Sequence, residues 1–242
     1  MRASKQLYRF VNRSPRLNFA PLMRFSDDHE CLRCHEEVDI PEMKKEHVPD
    51  KLFCHSCGHM HTCNLYKKHF NFFELFESEP KFDLDLQLIN RRYKDLQKVI
   101  HPDLFNNSEE TEKGAAEELS THVNEAYFTL RNEIQRANYL LKLQGEEVLE
   151  EGHSITDPLL IMEIMEVREN ISMANSDEDL DKLRAENQTK KSELLREFQT
   201  YFSAKEVDEA KQTLVKLSYY SKILEEIQNR EESLKEAFAE GQ

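Results

Sequence analysis

At 242 residues the chain is long enough for one or two domains with cores of their own. Hydrophobic residues make up 38% and charged residues 33%, and no stretch approaches the roughly 18 apolar residues of a membrane span. With only 5 Gly and 7 Pro beside abundant Leu, Glu, Lys and Gln, the expected class is all-α.

The net charge of −14 hides an asymmetry. Residues 1–26 carry Arg2, Lys5, Arg9, Arg13, Arg16 and Arg24 and no acid, so they hold +6 and the remainder −20. An Arg-rich, acid-free start with scattered Leu7, Phe10, Val11 and Leu17 reads as a mitochondrial transit peptide. A disordered basic tail is the competing reading. The address implied is the mitochondrial matrix, with the cytosol as a second location. A body at −20 repels nucleic acid unless a basic patch is concentrated locally.

All five cysteines precede residue 64, so the bulk of the protein does not rely on disulfides. Residues 27–63 form a small module in which Cys31-x2-Cys34 and Cys54-x2-Cys57 supply two short chelating pairs. Each pair offers two thiolates from one turn, as tetrahedral zinc requires, and a closed set of four makes the single ion structural. Gly58 suits the turn after the second pair. Redox-active pairs compete, but they need a βαβ context that the pattern lacks. His35, His55, His59, His61 and Cys63 could substitute as ligands; each is expected to be an exposed polar residue.

Residues 68–145 form a helical segment. From Asp83 or Asp85 as cap, Leu86, Ile89, Tyr93, Leu96 and Ile100 make one apolar stripe, with Arg91, Lys94 and Lys98 sharing another face. A second stripe runs through Ala115, Leu119, Val123, Ala126, Tyr127, Leu130 and Ile134. Two such helices joined by a short loop pack antiparallel. The loop is His101-Pro102-Asp103, where Pro102 fixes its φ and pushes His101 out of helical geometry. With no nucleophile or phosphate-binding loop beside it, this His/Asp pair does not read as catalytic.

After a linker from Gly145 through Ser154, residues 156–240 read as an antiparallel three-helix bundle. Asp157 caps and Pro158 opens its first helix. There Leu160, Ile164, Val167 and Ile171 form the core stripe, while Ile161, Met162 and Met165 project elsewhere, bordered by Glu166 and Glu169. Either two neighbours bury that helix, or it exposes an apolar patch for a partner. Helices over 177–202 and 204–238 complete the bundle.

The stretches NFFELFE (71–77), RRYKDLQKVIHPD (91–103) and VNEAYFTL (123–130) resemble the J-domain family. One departure is Asn71, where related sequences tend to carry Asp. The resemblance implies that His101, Pro102 and Asp103 contact a DnaK-type chaperone and stimulate its ATP hydrolysis. It also implies that Arg91, Lys94 and Lys98 dock on that chaperone. RANYLLKLQG (136–145), LLIMEIMEVRE (159–169) and LVKLSYYSKI (214–223) extend the likeness to the HscB family of iron–sulfur cluster co-chaperones. The cysteine module is similar to that of animal mitochondrial members; bacterial members lack it. The family resemblance implies that an IscU-type scaffold binds Ile161, Met162, Met165, Glu166, Glu169 and Tyr219, with Tyr220 one residue away as the alternative. The expected protein is a non-enzymatic co-chaperone without catalytic residues, nucleic-acid role or membrane role, and with homodimerisation undecided. A general J-domain co-chaperone, a zinc-ribbon nucleic-acid binder and a zinc or redox enzyme are the competing functions.

Overall fold

The structure, a computed structural model, describes residues 30–44, 50–146 and 157–240, with side chains to residue 237. The expected transit peptide and residues 147–154 of the expected linker lie outside the described residues. Among the described residues there is no sheet, only the isolated bridges Glu30–Glu37 and Phe53–Met60. In chain order the α-helices are α1 (Ile40–Met43), α2 (Cys63–His69), α3 (Phe72–Leu75), α4 (Leu86–Ile100), α5 (Glu110–Arg131), α6 (Glu133–Leu143), α7 (Pro158–Met173), α8 (Asp177–Ala204) and α9 (Val207–Glu240). No helix among them is long and apolar enough to cross a membrane.

Helix starts follow their caps. Asp85, not Asp83, opens α4, its carboxylate accepting from the Gln87 and Leu88 N–H groups. Asn71 closes a capping box on α3: its Oδ1 accepts from Glu74 N–H while Glu74 Oε2 accepts from Asn71 N–H. Its departure from the usual Asp therefore leaves the cap intact. Asp157 caps α7, with Pro158 in the first turn.

The stripe expected to run unbroken through Ile134 is interrupted. Asn132 leaves the helix in extended geometry and its side chain caps α6, so Ile134 belongs to a separate helix. Leu86, expected in the core stripe, is exposed. At the first position of α4 its side chain leans back toward Asp85 and away from the packed turns that follow.

The hairpin of α4 and α5 carries a polar ladder on its inner side. Tyr93 and Tyr127 stack with ring centroids 4.0 Å apart. The Tyr93 hydroxyl and Gln97 Nε2 both donate to Asn124 Oδ1, and the Tyr127 hydroxyl donates to Asn90 Oδ1. Each bond joins α4 to α5, so the hairpin register is specified and not merely greasy.

The bundle of α7, α8 and α9 continues the same core. Buried Arg136 on α6 donates to the Phe82 and Leu130 carbonyls, with its guanidinium 4.9 Å from the centre of the Phe82 ring. Phe82 in turn meets Phe198 of α8 at 4.9 Å. Lys191–Glu133 and Lys211–Glu146 add ion pairs across the joint. Helices α8 and α9 each end two residues beyond the expected 202 and 238, and α9 begins at Val207 instead of the expected 204, because Lys205 turns the corner at φ 61°.

Candidate functional sites: a thiol centre and two exposed surfaces

The four cysteines of the two pairs converge. All four Sγ atoms lie within 4.8 Å of one another, with Cys31–Cys57 and Cys34–Cys54 both at 3.6 Å. Two matching turns achieve this. In the first, Cys31 N–H donates to the Glu36 carbonyl and His35 N–H to the Cys31 carbonyl. In the second, Cys54 N–H donates to the His59 carbonyl and Gly58 N–H to the Cys54 carbonyl. The residue after each pair is left-handed: His35 at φ 58° and Gly58 at 70°. Glycine adopts this freely, whereas His35 does so at some strain.

Thiols this close compete for protons. Burial opposes ionisation of Cys31, but the N–H groups of Cys34 and Arg33 bring it down to about 7. For Cys34 the Glu36 N–H pulls the other way, yet burial and the Cys57, Cys54 and Cys31 thiols push it up to about 12. A cation at the centre would replace those shared protons, so the residues fit a metal ion.

The histidines expected at the module's surface divide. His35 and His55 are exposed, but His59 and His61 are buried. Burial, helped by the neighbouring charges of His55 and His59, lowers His61 to about 4. Cys63 is also no spare ligand: it is buried in the first turn of α2 and its Sγ donates to the Glu118 carbonyl of α5. Short range in sequence placed all three near the pairs; contacts with Glu112 and Glu118 of α5 engage His59 and Cys63 instead.

At the tip of the hairpin, His101 stands in extended geometry and caps the short 3₁₀ turn Pro102–Phe105. Its Nδ1 accepts from Asp103 N–H at 3.3 Å and lies 3.5 Å from the Asp103 carboxylate. Both side chains point to solvent, while buried Phe105 anchors the turn from beneath. Arg91, Lys94 and Lys98 are all exposed on one side of α4. Lys98 pairs with Asp95 at 2.7 Å; Arg91 and Lys94 have no ion pair among the described residues. The intervening Arg92 has a different task, donating to the Phe76 and Glu77 carbonyls behind α3.

On α7 the two expected faces separate. Leu160, Ile164 and Ile171 are buried and Val167 is partly so. Met162 and Met165 are 67% and 65% exposed and Ile161 is 39% exposed, so neighbours do not bury this helix on two sides. Glu166 and Glu169 lie exposed beside them. Sequence reasoning missed Leu159 and Met173, exposed on the same outward arc at either end of the helix. Their helical angle, about 100° per residue, was the available signal.

Helices α7 and α9 are parallel, tied by Arg168–Glu226 and by Arg230 donating to the Ala174 carbonyl. Tyr219 lies seven residues before Glu226, just as Ile161 precedes Arg168, so it sits on α9 level with Ile161. Tyr219 is half-buried, whereas Tyr220 is a core residue and Asn187 Nδ2 donates to its carbonyl. Of the two, Tyr219 is the one that keeps exposed surface.

Residues 156–228 match the family model of the HSCB C-terminal oligomerisation domain. An iron–sulfur cluster co-chaperone protein HscB homologue of Arabidopsis thaliana is 38% identical over 176 residues, covering 73% of this chain and 68% of the relative. The crystal structure of human co-chaperone HscB superposes with a TM-score of 0.75 at 30% identity, over 84% of this chain and 98% of that one. Chaperone HscB from Vibrio cholerae gives 0.62 at 31% identity, over 99% of its own length but 68% of this chain. An exposed His-Pro-Asp corner on a helical hairpin, a C-terminal bundle and these matches agree: the chain belongs to the HscB family of iron–sulfur cluster co-chaperones.

Proposed function

We propose that this co-chaperone binds an IscU-type iron–sulfur scaffold on the outward face of α7 and brings it to a mitochondrial DnaK-type chaperone, whose ATP hydrolysis it stimulates. The observation that carries the scaffold half is the exposed face of Ile161, Met162 and Met165, with Glu166, Glu169 and Tyr219 around it. Soluble domains seldom leave such a row of large apolar side chains in water without a partner for it, and methionine adapts to a partner's shape.

The chaperone half rests on His101, Pro102 and Asp103, held out by the Phe105 anchor, and on the cationic side of α4. Arg91 and Lys94 are free to meet acidic groups, and in a body of strong negative charge their clustering favours one docking orientation. The cluster is cargo of the scaffold; no residue of this chain performs covalent chemistry in this scheme. The basic, acid-free first 26 residues support a mitochondrial address.

The four-cysteine centre holds zinc in this reading. Zn–S bonds of about 2.3 Å in a tetrahedron place sulfurs about 3.8 Å apart, close to the 3.6 Å pairs present. With four protein thiolates the shell is complete, and the metal supplies fold stability, not Lewis acidity.

One measurement tests the scheme. The chain from residue 27 is assayed for stimulation of a matrix DnaK-type ATPase, with and without scaffold. Stimulation that rises further with scaffold supports both halves. His101→Gln should abolish it while scaffold binding persists; stimulation insensitive to scaffold leaves a general J-domain co-chaperone.

A further inference from the structure

The thiol centre is not a separate bead ahead of the hairpin. His59, whose carbonyl closes the second cysteine turn by accepting from Cys54 N–H, is 4% exposed and places Nδ1 3.5 Å from Glu112 Oε1. Glu112 stands in the first turn of α5, directly after the His101–Phe105 corner. Two further joints flank this one. Lys51 is 2% exposed; its Nζ donates to the Glu74 carbonyl on α3 and lies 5.5 Å from the centre of the Phe70 ring, while its own carbonyl accepts from the buried Tyr66 hydroxyl. Cys63 Sγ reaches the Glu118 carbonyl nearly two turns beyond Glu112 on α5. Beneath them Met43, Leu52 and Met60 share one core with Leu65, Tyr66, Phe70 and Phe73.

We infer that His59 and Glu112 are positioning residues through which metal occupancy of the thiol centre holds the start of α5, and with it the chaperone-activating corner, in place. The module cannot supply this rigidity without its metal. Its described part contains one short helix, one 3₁₀ turn and two isolated bridges, and so small a unit needs a metal to keep its shape. When the ion leaves, the turn that carries His59 loses its cross-link, and Glu112 of α5 and the Glu74 carbonyl of α3 lose fixed partners. The outward face of α7 lies on the other domain and shares none of these joints. Metal status therefore tunes the chaperone arm while sparing the scaffold arm. This rests on the assignment of the His-Pro-Asp corner to chaperone activation.

The test uses the chain from residue 27, comparing the zinc-loaded protein, the chelator-stripped protein and zinc-loaded His59→Ala. Amide hydrogen exchange is read at residues 104–120 and across α7–α9, beside ATPase stimulation. Stripping should raise exchange in the first three turns of α5 about tenfold or more and leave α7–α9 within about twofold. His59→Ala should reproduce part of that rise with metal content unchanged, and should raise the co-chaperone concentration needed for half-maximal stimulation without changing the maximum. His59→Gln, which retains a donor toward Glu112, should restore protection. Unaltered α5 exchange on stripping overturns the inference, as does loss of protection spread equally over α7–α9. Altered α5 exchange in a protein that never stimulates the ATPase, even zinc-loaded, would instead remove the functional assignment of the corner and leave the mechanical coupling standing.

Discussion

Replacing Met162 and Met165 together by serine separates a binding face from a core. Full burial of a methionine side chain is worth about 1.5–3 kcal/mol. Roughly two-thirds of each is still in water, so a partner that covers them gains about 1–2 kcal/mol apiece. At about 1.4 kcal/mol per decade, the double variant should weaken scaffold binding by roughly 30- to 1,000-fold. The fold should barely notice. The buried third of each side chain and the slightly poorer helix propensity of serine together amount to no more than about 2 kcal/mol. Binding is measured by titration calorimetry and stability by urea unfolding of the same preparations, with scaffold-free ATPase stimulation as the control that should stay unchanged. A stability loss above about 4 kcal/mol would mean the methionines are core. A binding change below about threefold, in a folded protein, would remove α7 from the interface.

Three other outcomes follow from the interior. Arg136→Met strips the Phe82 and Leu130 carbonyls of their buried donor and should cost about 2–4 kcal/mol in urea unfolding, with the two domains losing their shared transition. Asn124→Ala removes the acceptor shared by Tyr93 and Gln97; about 1–3 kcal/mol of stability should go, and ATPase stimulation should fall as the hairpin loosens. His122 is buried beside the Phe72 ring, with Glu125 3.6 Å away. Burial lowers its pKa, against the pull of Glu125 and with the help of Lys67. The unfolded chain therefore takes the proton first, so this stability is intact above about pH 6.5 and is lost as pH falls below it. His122→Phe should flatten unfolding free energy against pH below about pH 6.5; an unchanged slope would assign the acid sensitivity elsewhere, His61 being the next candidate.

Much of this protein is written in local patterns. Caps at Asp85 and Asp157, the 3-4 spacing of Leu160, Ile164 and Ile171, and the two cysteine pairs depend on residues within a turn or two of one another, and all appear where that spacing puts them. The exposed arc of α7 was visible as surplus apolar residues, yet spacing could not say whether a neighbour covered it. That answer belongs to α9, whose parallel course leaves Ile161 at the seam and Met162 and Met165 in water. The same holds for Tyr219 against Tyr220: adjacent in the chain, they differ by about 100° around α9, and only the packing of Asn187 and the bundle decides which is core. At Asn132 a side-chain cap defeated an apolar period that ran straight through it. His59, His61, Lys51 and Arg136 are polar residues that any composition rule places outside; distant backbone carbonyls and a carboxylate from α5 made their burial tolerable for Lys51, Arg136 and His59. Local sequence thus determined the elements, the thiol centre and the corner, because those need only near neighbours. Which polar groups join the module to the hairpin, and which apolar face is left for a partner, required the tertiary fold, because both depend on residues far apart in the chain.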